Sequence, residues 1–163
     1  AGLMDMDLLL QLAGLPNAHG LKYTARSHDE MGFIKETLGP DFMIYSGCDE
    51  MAFSGMCSGA DGIIGSFYNL FPDLYKQILK KVEESDIKQG MRLQRIAGEV
   101  IVAALKYDFP SVLHNLMNWR GLESGYSRRP FYNYQDSELE GLKEDIRRIK
   151  DRYQAEELDM FRL

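Results

Sequence analysis

Positive charge is in short supply in this chain, with 19 Lys and Arg against 25 Asp and Glu for a net charge of −6. The charges are interspersed and form no basic patch, which excludes a nucleic acid or an anionic membrane surface as partner. Cysteine is sparse too. Cys48 and Cys57 lie nine residues apart in no metal-ligand pattern, and the three histidines, His19, His28 and His114, are scattered. That spacing excludes a disulfide framework and a Cys/His metal centre, and points to reduced thiols in a cytoplasm. Long apolar runs are missing as well: the most apolar, Val100 to Leu105, is far too short to span a bilayer. No signal peptide is expected ahead of Met4.

Hydrophobic residues, by contrast, make up 45% of the 163, enough for a domain with a sizeable core. Residues 6–13 read as a leucine-rich helix ended by Gly14 and Pro16, and a strand over 20–24 follows. Ser27 or Asp29 caps a helix to about Leu38, stopped by Gly39-Pro40. The run 42–46 has the continuous apolar character of a parallel strand covered on both faces. A short helix over 49–58 closes at Gly59, and 61–66 is a third buried strand. Helix and strand alternate at about 20 residues per unit, which is α/β, and right-handed crossovers make the three strands parallel. From Phe71 onward the pattern is wholly helical. Helices are expected from Pro72 to about Glu84, from Ser85-Asp86 to about Tyr107, and from Pro110 to about Gly121. A loop over 125–135 precedes a charged helix over 136–160, whose Leu139, Leu142, Ile146, Ile149 and Tyr153 form one apolar stripe. That stripe suits docking on the parent domain better than a coiled-coil seam.

Lys22 is the residue with the most chemistry in it. It sits within Gly20-Leu21-Lys22-Tyr23-Thr24, where an ammonium in a buried strand must be paired or neutralised. Strands alternate faces, so Lys22 and Thr24 share one face while Leu21 and Tyr23 take the other. A desolvated lysine of this kind suits imine formation, and a strand-end lysine reaching back to water suits the same pattern. Downstream come Tyr45-Ser46-Gly47-Cys48-Asp49-Glu50 and Gly62-Ile63-Ile64-Gly65-Ser66-Phe67-Tyr68-Asn69. Gly47 either admits a ligand close to the backbone or makes the turn out of the strand. Asp49 and Glu50 can accept hydrogen bonds from hydroxyls, or cap and enrich the first turn of the next helix. Thr24 can bind substrate or fill a strand position.

In order and spacing these three motifs resemble the C-terminal half of the pyruvate-dependent class I aldolases of the dihydrodipicolinate synthase/N-acetylneuraminate lyase superfamily. The resemblance runs from about Met4 to about Phe131. It implies the C-terminal half of a (β/α)8 TIM barrel, with three parallel strands standing for about strands six to eight, followed by an all-helical C-terminal extension. Residues 1–70 would carry the barrel part and 71–163 the final barrel helix and helical region. Lys22 would form the imine, and Thr24, Gly47, Asp49, Glu50 and Ser66 would contact substrate at the C-terminal strand ends. The Asp-Glu pair favours the sialic acid branch, with a metal-free and cofactor-free reaction, a 2-keto acid or sialic acid substrate, and a homo-oligomer, tetrameric in the family.

Two positions depart from the family's pattern. Phe67 stands where a small hydroxyl residue is common, and Cys48 where an aromatic is often found, so contacts to the substrate's tail are expected to differ from the family's. The family's proton-shuttling tyrosine of strand five and its Gly-Ser/Thr-Thr carboxylate-binding motif are absent from these 163 residues. Two alternatives stand beside the sialic acid lyase: another pyruvate-dependent or dihydrodipicolinate synthase-like aldolase, and a non-catalytic half-barrel that associates through its open sheet edges.

Overall fold

The computed structural model describes residues 5–161. Met4, where the resemblance begins, and the terminal residues of both expected units lie outside that range. Asp5 accepts the N–H groups of Asp7 and Leu8 at 3.0 and 3.2 Å and so starts α1 (Met6–Ala13). Then β1 (Gly20–Tyr23), α2 (His28–Leu38), β2 (Met43–Ser46), α3 (Ala52–Cys57) and β3 (Gly62–Ile63) alternate. The three strands form one parallel sheet in the order β1-β2-β3.

Register places Lys22 beside Tyr45, and Tyr45 beside Gly62. This face of the sheet is open, contrary to the expectation of strands covered on both sides. Lys22 is exposed, and Tyr45 and Ile64 keep 38% and 46% of their surface. The opposite face is closed by α1, α2 and α3, with Tyr23, Ile44 and Ser46 buried beneath them. Apolar runs in parallel strands anticipate two covering layers, but the described residues supply one. β3 is also shorter than the expected 61–66. Its ladder ends with the Ile64 N–H on the Ser46 carbonyl at 2.9 Å, and no strand pairs with its far edge among the described residues.

The remaining helices are α4 (Pro72–Glu83), α5 (Ile87–Ala104), α6 (Ser111–Trp119) and α7 (Glu140–Tyr153). Asp86 caps α5 by accepting the Gln89 N–H at 3.2 Å. α5 ends at Ala104 rather than near Tyr107, because shorter-range bonds from Lys106 to Ala103 and from Tyr107 to Ala104 tighten its last turn. α7 stops at Tyr153, short of the expected residue 160. Gln154 adopts the left-handed conformation, and the Ala155 and Gln154 N–H groups return to the Lys150 and Asp151 carbonyls in a Schellman arrangement. The reversal lets Ala155, Leu158 and Met160 bury themselves against the core. The stripe Leu139, Leu142, Ile146 and Ile149 is buried as one docked face. One large cluster runs from Ala52 through α4, α5 and α7 to Met160, crossing residue 70, while a smaller one joins α1, α2 and the sheet.

Candidate functional site

Lys22 and Thr24 project from the C-terminal end of β1 on the open face, both exposed. Tyr23 between them points the other way, is 2% exposed, and has its hydroxyl on the Ser27 carbonyl (2.9 Å) and the Glu30 carboxylate. Burial and the Glu30 hydrogen bond push its ionisation far above the ordinary tyrosine range, so it holds its proton. Gly47 lies across from this pair. A Cβ there would stand 2.4 Å from Thr24 Oγ1 and 2.8 Å from Lys22 Cε, so the glycine is what lets both side chains lie where they do. What comes close to the Gly47 backbone in the structure is the Lys22 and Thr24 side-chain pair.

The carboxylate pair divides. Glu50 is exposed and lines a groove of about 500 Å³ between α5 and α7, with Arg95, Val102 and Arg152 among its walls. Asp49 is 8% exposed. It does not cap its own turn: the residue ahead of the turn is Cys48, which makes no side-chain cap. Instead Asp49 Oδ2 accepts the Phe67 N–H at 2.9 Å, tying β2's end to β3's, and Oδ1 is buried without a hydrogen-bond partner among the described residues. Desolvation raises the Asp49 pKa; the Phe67 N–H and the Lys22 charge pull the other way and are outweighed. Gly65 is indispensable here too, since a Cβ would fall 1.4 Å from Asp49 Oδ1.

Ser66 is exposed and begins the turn Phe67–Asn69, its carbonyl accepting from Asn69 Nδ2 at 3.1 Å. Phe67 turns away from the strand ends into the core, stacked on Phe109 at 5.5 Å, so its departure from the family's pattern is a packing feature. Cys48 is buried, its thiol donating to the Thr24 carbonyl at 3.0 Å, and burial raises its pKa. Two groups were missed in the sequence. Gln94 of α5 donates from Nε2 to the Asp49 carbonyl at 3.1 Å, and the Tyr75 hydroxyl donates to the same oxygen at 3.2 Å. The signal was present for the first: Gln94 sits within the apolar face formed by Leu93, Ile96, Ala97 and Val100.

A model of the dihydrodipicolinate synthetase family matches residues 3–149. The chain belongs to that family. Within it, the chain is 33% identical over 138 residues to the N-acetylneuraminate lyase of Rhizobium meliloti (strain 1021), covering 85% of this chain and 46% of that protein. It is 32% identical over 141 residues to the N-acetylneuraminate lyase of Escherichia coli (strain SMS-3-5 / SECEC), covering 86% and 47%. Solved structures superpose well. CdNal from Clostridium difficile, in complex with mannosamine, gives a TM-score of 0.81 at 26% identity over 90% of this chain and 50% of its own. N-acetylneuraminate lyase from Fusobacterium nucleatum complexed with pyruvate gives 0.80 at 25% identity over 90% and 49%. The chain thus spans about half the length of the relatives it matches, as the C-terminal half of a TIM barrel does. No helix among the described residues is long and apolar enough to cross a membrane.

Proposed function

We propose that the complete barrel of which this chain forms the C-terminal half is a class I aldolase-type lyase that cleaves N-acetylneuraminate to N-acetylmannosamine and pyruvate through an imine on Lys22. The observation that carries this reading is the fit of Lys22, Thr24 and Gly47: an amine and a hydroxyl on one strand face, with a glycine opposite that admits the amine's stem. Unprotonated, Lys22 adds to the C2 ketone of the open-chain sugar acid and water leaves. The resulting protonated imine accepts the electron pair of the breaking C3–C4 bond. Thr24 hydrogen-bonds substrate beside the imine. Asp49, Glu50 and Ser66, at the neighbouring strand ends, receive the polyol tail. The upstream half supplies the remaining strands and the acid/base group, and the assembly is a homo-oligomer working in the cytoplasm. In this reading residues 1–70 carry the nucleophile and residues 71–163 support the strand ends.

Borohydride tests it. In the completed barrel, pyruvate with borohydride is expected to leave a covalent adduct on Lys22, and Lys22→Ala or Lys22→Arg to abolish label and turnover, because a guanidinium stays protonated and cannot condense. A Lys22→Ala protein with full lyase activity, or label on another lysine, would overturn the assignment. Cys48 favours one second reading, a different 2-keto acid substrate, because its buried thiol presents no aromatic surface to a sugar tail. Cleavage of another 2-keto-3-deoxy acid at higher kcat/KM than N-acetylneuraminate would select it.

A further inference from the structure

In an uninterrupted helix the Phe53 N–H would bond the carbonyl four residues back, on Asp49. Here the chain runs as a tighter turn over Asp49–Met51, Met51 takes φ −129° and ψ 19°, and α3 starts only at Ala52. The Gln94 side chain fills the break. Its Oε1 accepts the Phe53 N–H at 2.8 Å, and its Nε2 donates to the Asp49 carbonyl at 3.1 Å. One primary amide therefore stands in for the missing backbone bond, holding both of its ends apart. The Tyr75 hydroxyl of α4 adds a second donor to the same carbonyl. Gln94, Tyr75 and Phe53 are 7%, 2% and 4% exposed, so water offers these groups little alternative. α5 comes this close because Gly90, one turn before Gln94, has no side chain: a Cβ there would lie 2.0 Å from the Phe53 ring.

We infer that Gln94 is a positioning residue that sets the substrate preference of the site from outside the barrel. It fixes the geometry of the turn bearing Asp49 and Glu50, and thereby where the two carboxylates meet the tail of a 2-keto acid. This inference rests on the reading of Asp49 and Glu50 as tail-binding groups. Released from Gln94, the Asp49–Phe53 segment can close into regular helix, which rotates Glu50 and shifts the Asp49 carboxylate off the Phe67 N–H. Lys22 belongs to β1, and its stem passes Gly47, which lies before the rearranged turn. The effect therefore falls on the tail and spares the carbonyl end.

The test compares two measurements in the completed barrel protein: KM and kcat for N-acetylneuraminate cleavage, and the pyruvate concentration that half-saturates borohydride trapping. Gln94→Met keeps the bulk and removes both hydrogen bonds. It is expected to raise KM about tenfold with kcat held within about twofold and half-saturation by pyruvate constant, since only ground-state and transition-state tail contacts are lost. An unchanged KM, or KM and pyruvate half-saturation rising together, would overturn the inference in favour of a purely structural amide. If Gln94→Met fails to fold, Tyr75→Phe removes a single hydroxyl from the Asp49 carbonyl and carries the same expectation at about threefold in KM. Glu50→Gln separates the two levels of argument. A KM rise for Glu50→Gln with none for Gln94→Met or Tyr75→Phe overturns the inference and leaves the tail reading standing. No rise for Glu50→Gln removes the tail reading and the inference with it.

Discussion

The lysine stem and the glycine opposite it set the tolerance of the site at the scale of single residues. Because a Cβ on residue 47 would stand 2.8 Å from Lys22 Cε and 2.4 Å from Thr24 Oγ1, Gly47→Ala must displace one or both. A displacement of about 1 Å at a reacting group costs on the order of a hundredfold in rate, so trapping of pyruvate on Lys22 is expected to slow by about that factor in Gly47→Ala. Stopped trapping time courses on the completed barrel measure it; a rate within about twofold of the parent would show that the stem has another path. Lys22 and Thr24 were legible as a pair from strand alternation, whereas the approach of Gly47 to both came only from the packing of β2 against β1. The burial of Asp49 was not, because nothing local to Gly47-Cys48-Asp49-Glu50 says that the Phe67 N–H will arrive from the next strand's loop.

The sheet's start is pinned by a clip between elements. Lys35 of α2 donates to Asp61 (2.8 Å) and to the Pro40 and Phe42 carbonyls, while Asp61 Oδ2 also accepts the Ile44 N–H at 2.7 Å. Burial pushes the Asp61 carboxyl up, but the Lys35 hydrogen bond, the Ile44 N–H and the Lys35 charge outweigh it and leave its pKa below the ordinary value. With the folded pKa below the unfolded one, this stabilisation is present above the unfolded pKa and is lost as pH falls through the folded one. Asp61→Asn is expected to lower unfolding free energy at pH 7 by about 1 kcal/mol, partial exposure keeping the figure small. In denaturant melts the gap to the parent should close as pH falls below about 4. A gap that persists unchanged in acid would assign the effect to packing. The helices themselves were legible to within a turn, except where α7 reverses at Gln154, a stop that no glycine or proline announces.

The whole molecule is a barrel segment with one bare face. Tyr45 and Ile64 on the sheet and Leu8, Leu10, Leu12 and Leu15 in and beyond α1 are exposed, and both outer strand edges lack partners among the described residues. Such edges template further pairing. The 163-residue chain by itself is therefore expected to self-associate, or to bind an added N-terminal half, in sedimentation velocity runs. A compact monomer unfolding cooperatively would show that the helices after Phe71 suffice to protect the sheet.

Order along the chain was the sequence's own doing. Alternating βα units, the position of Lys22 on a strand face shared with Thr24, and the docked stripe from Leu139 to Ile149 follow from periodicity and capping, which are local and repeat every two or every three to four residues. Only the tertiary structure decided the rest. Which sheet face stays bare depends on strands that these residues do not contain. That Asp49 is buried and Glu50 exposed depends on Phe67 and on Gln94, 18 and 45 residues away, reaching the same turn. A hydrogen bond across such a separation leaves no period in the sequence, because its two ends are brought together by the packing of α4 and α5 on the strand ends and by nothing nearer in the chain.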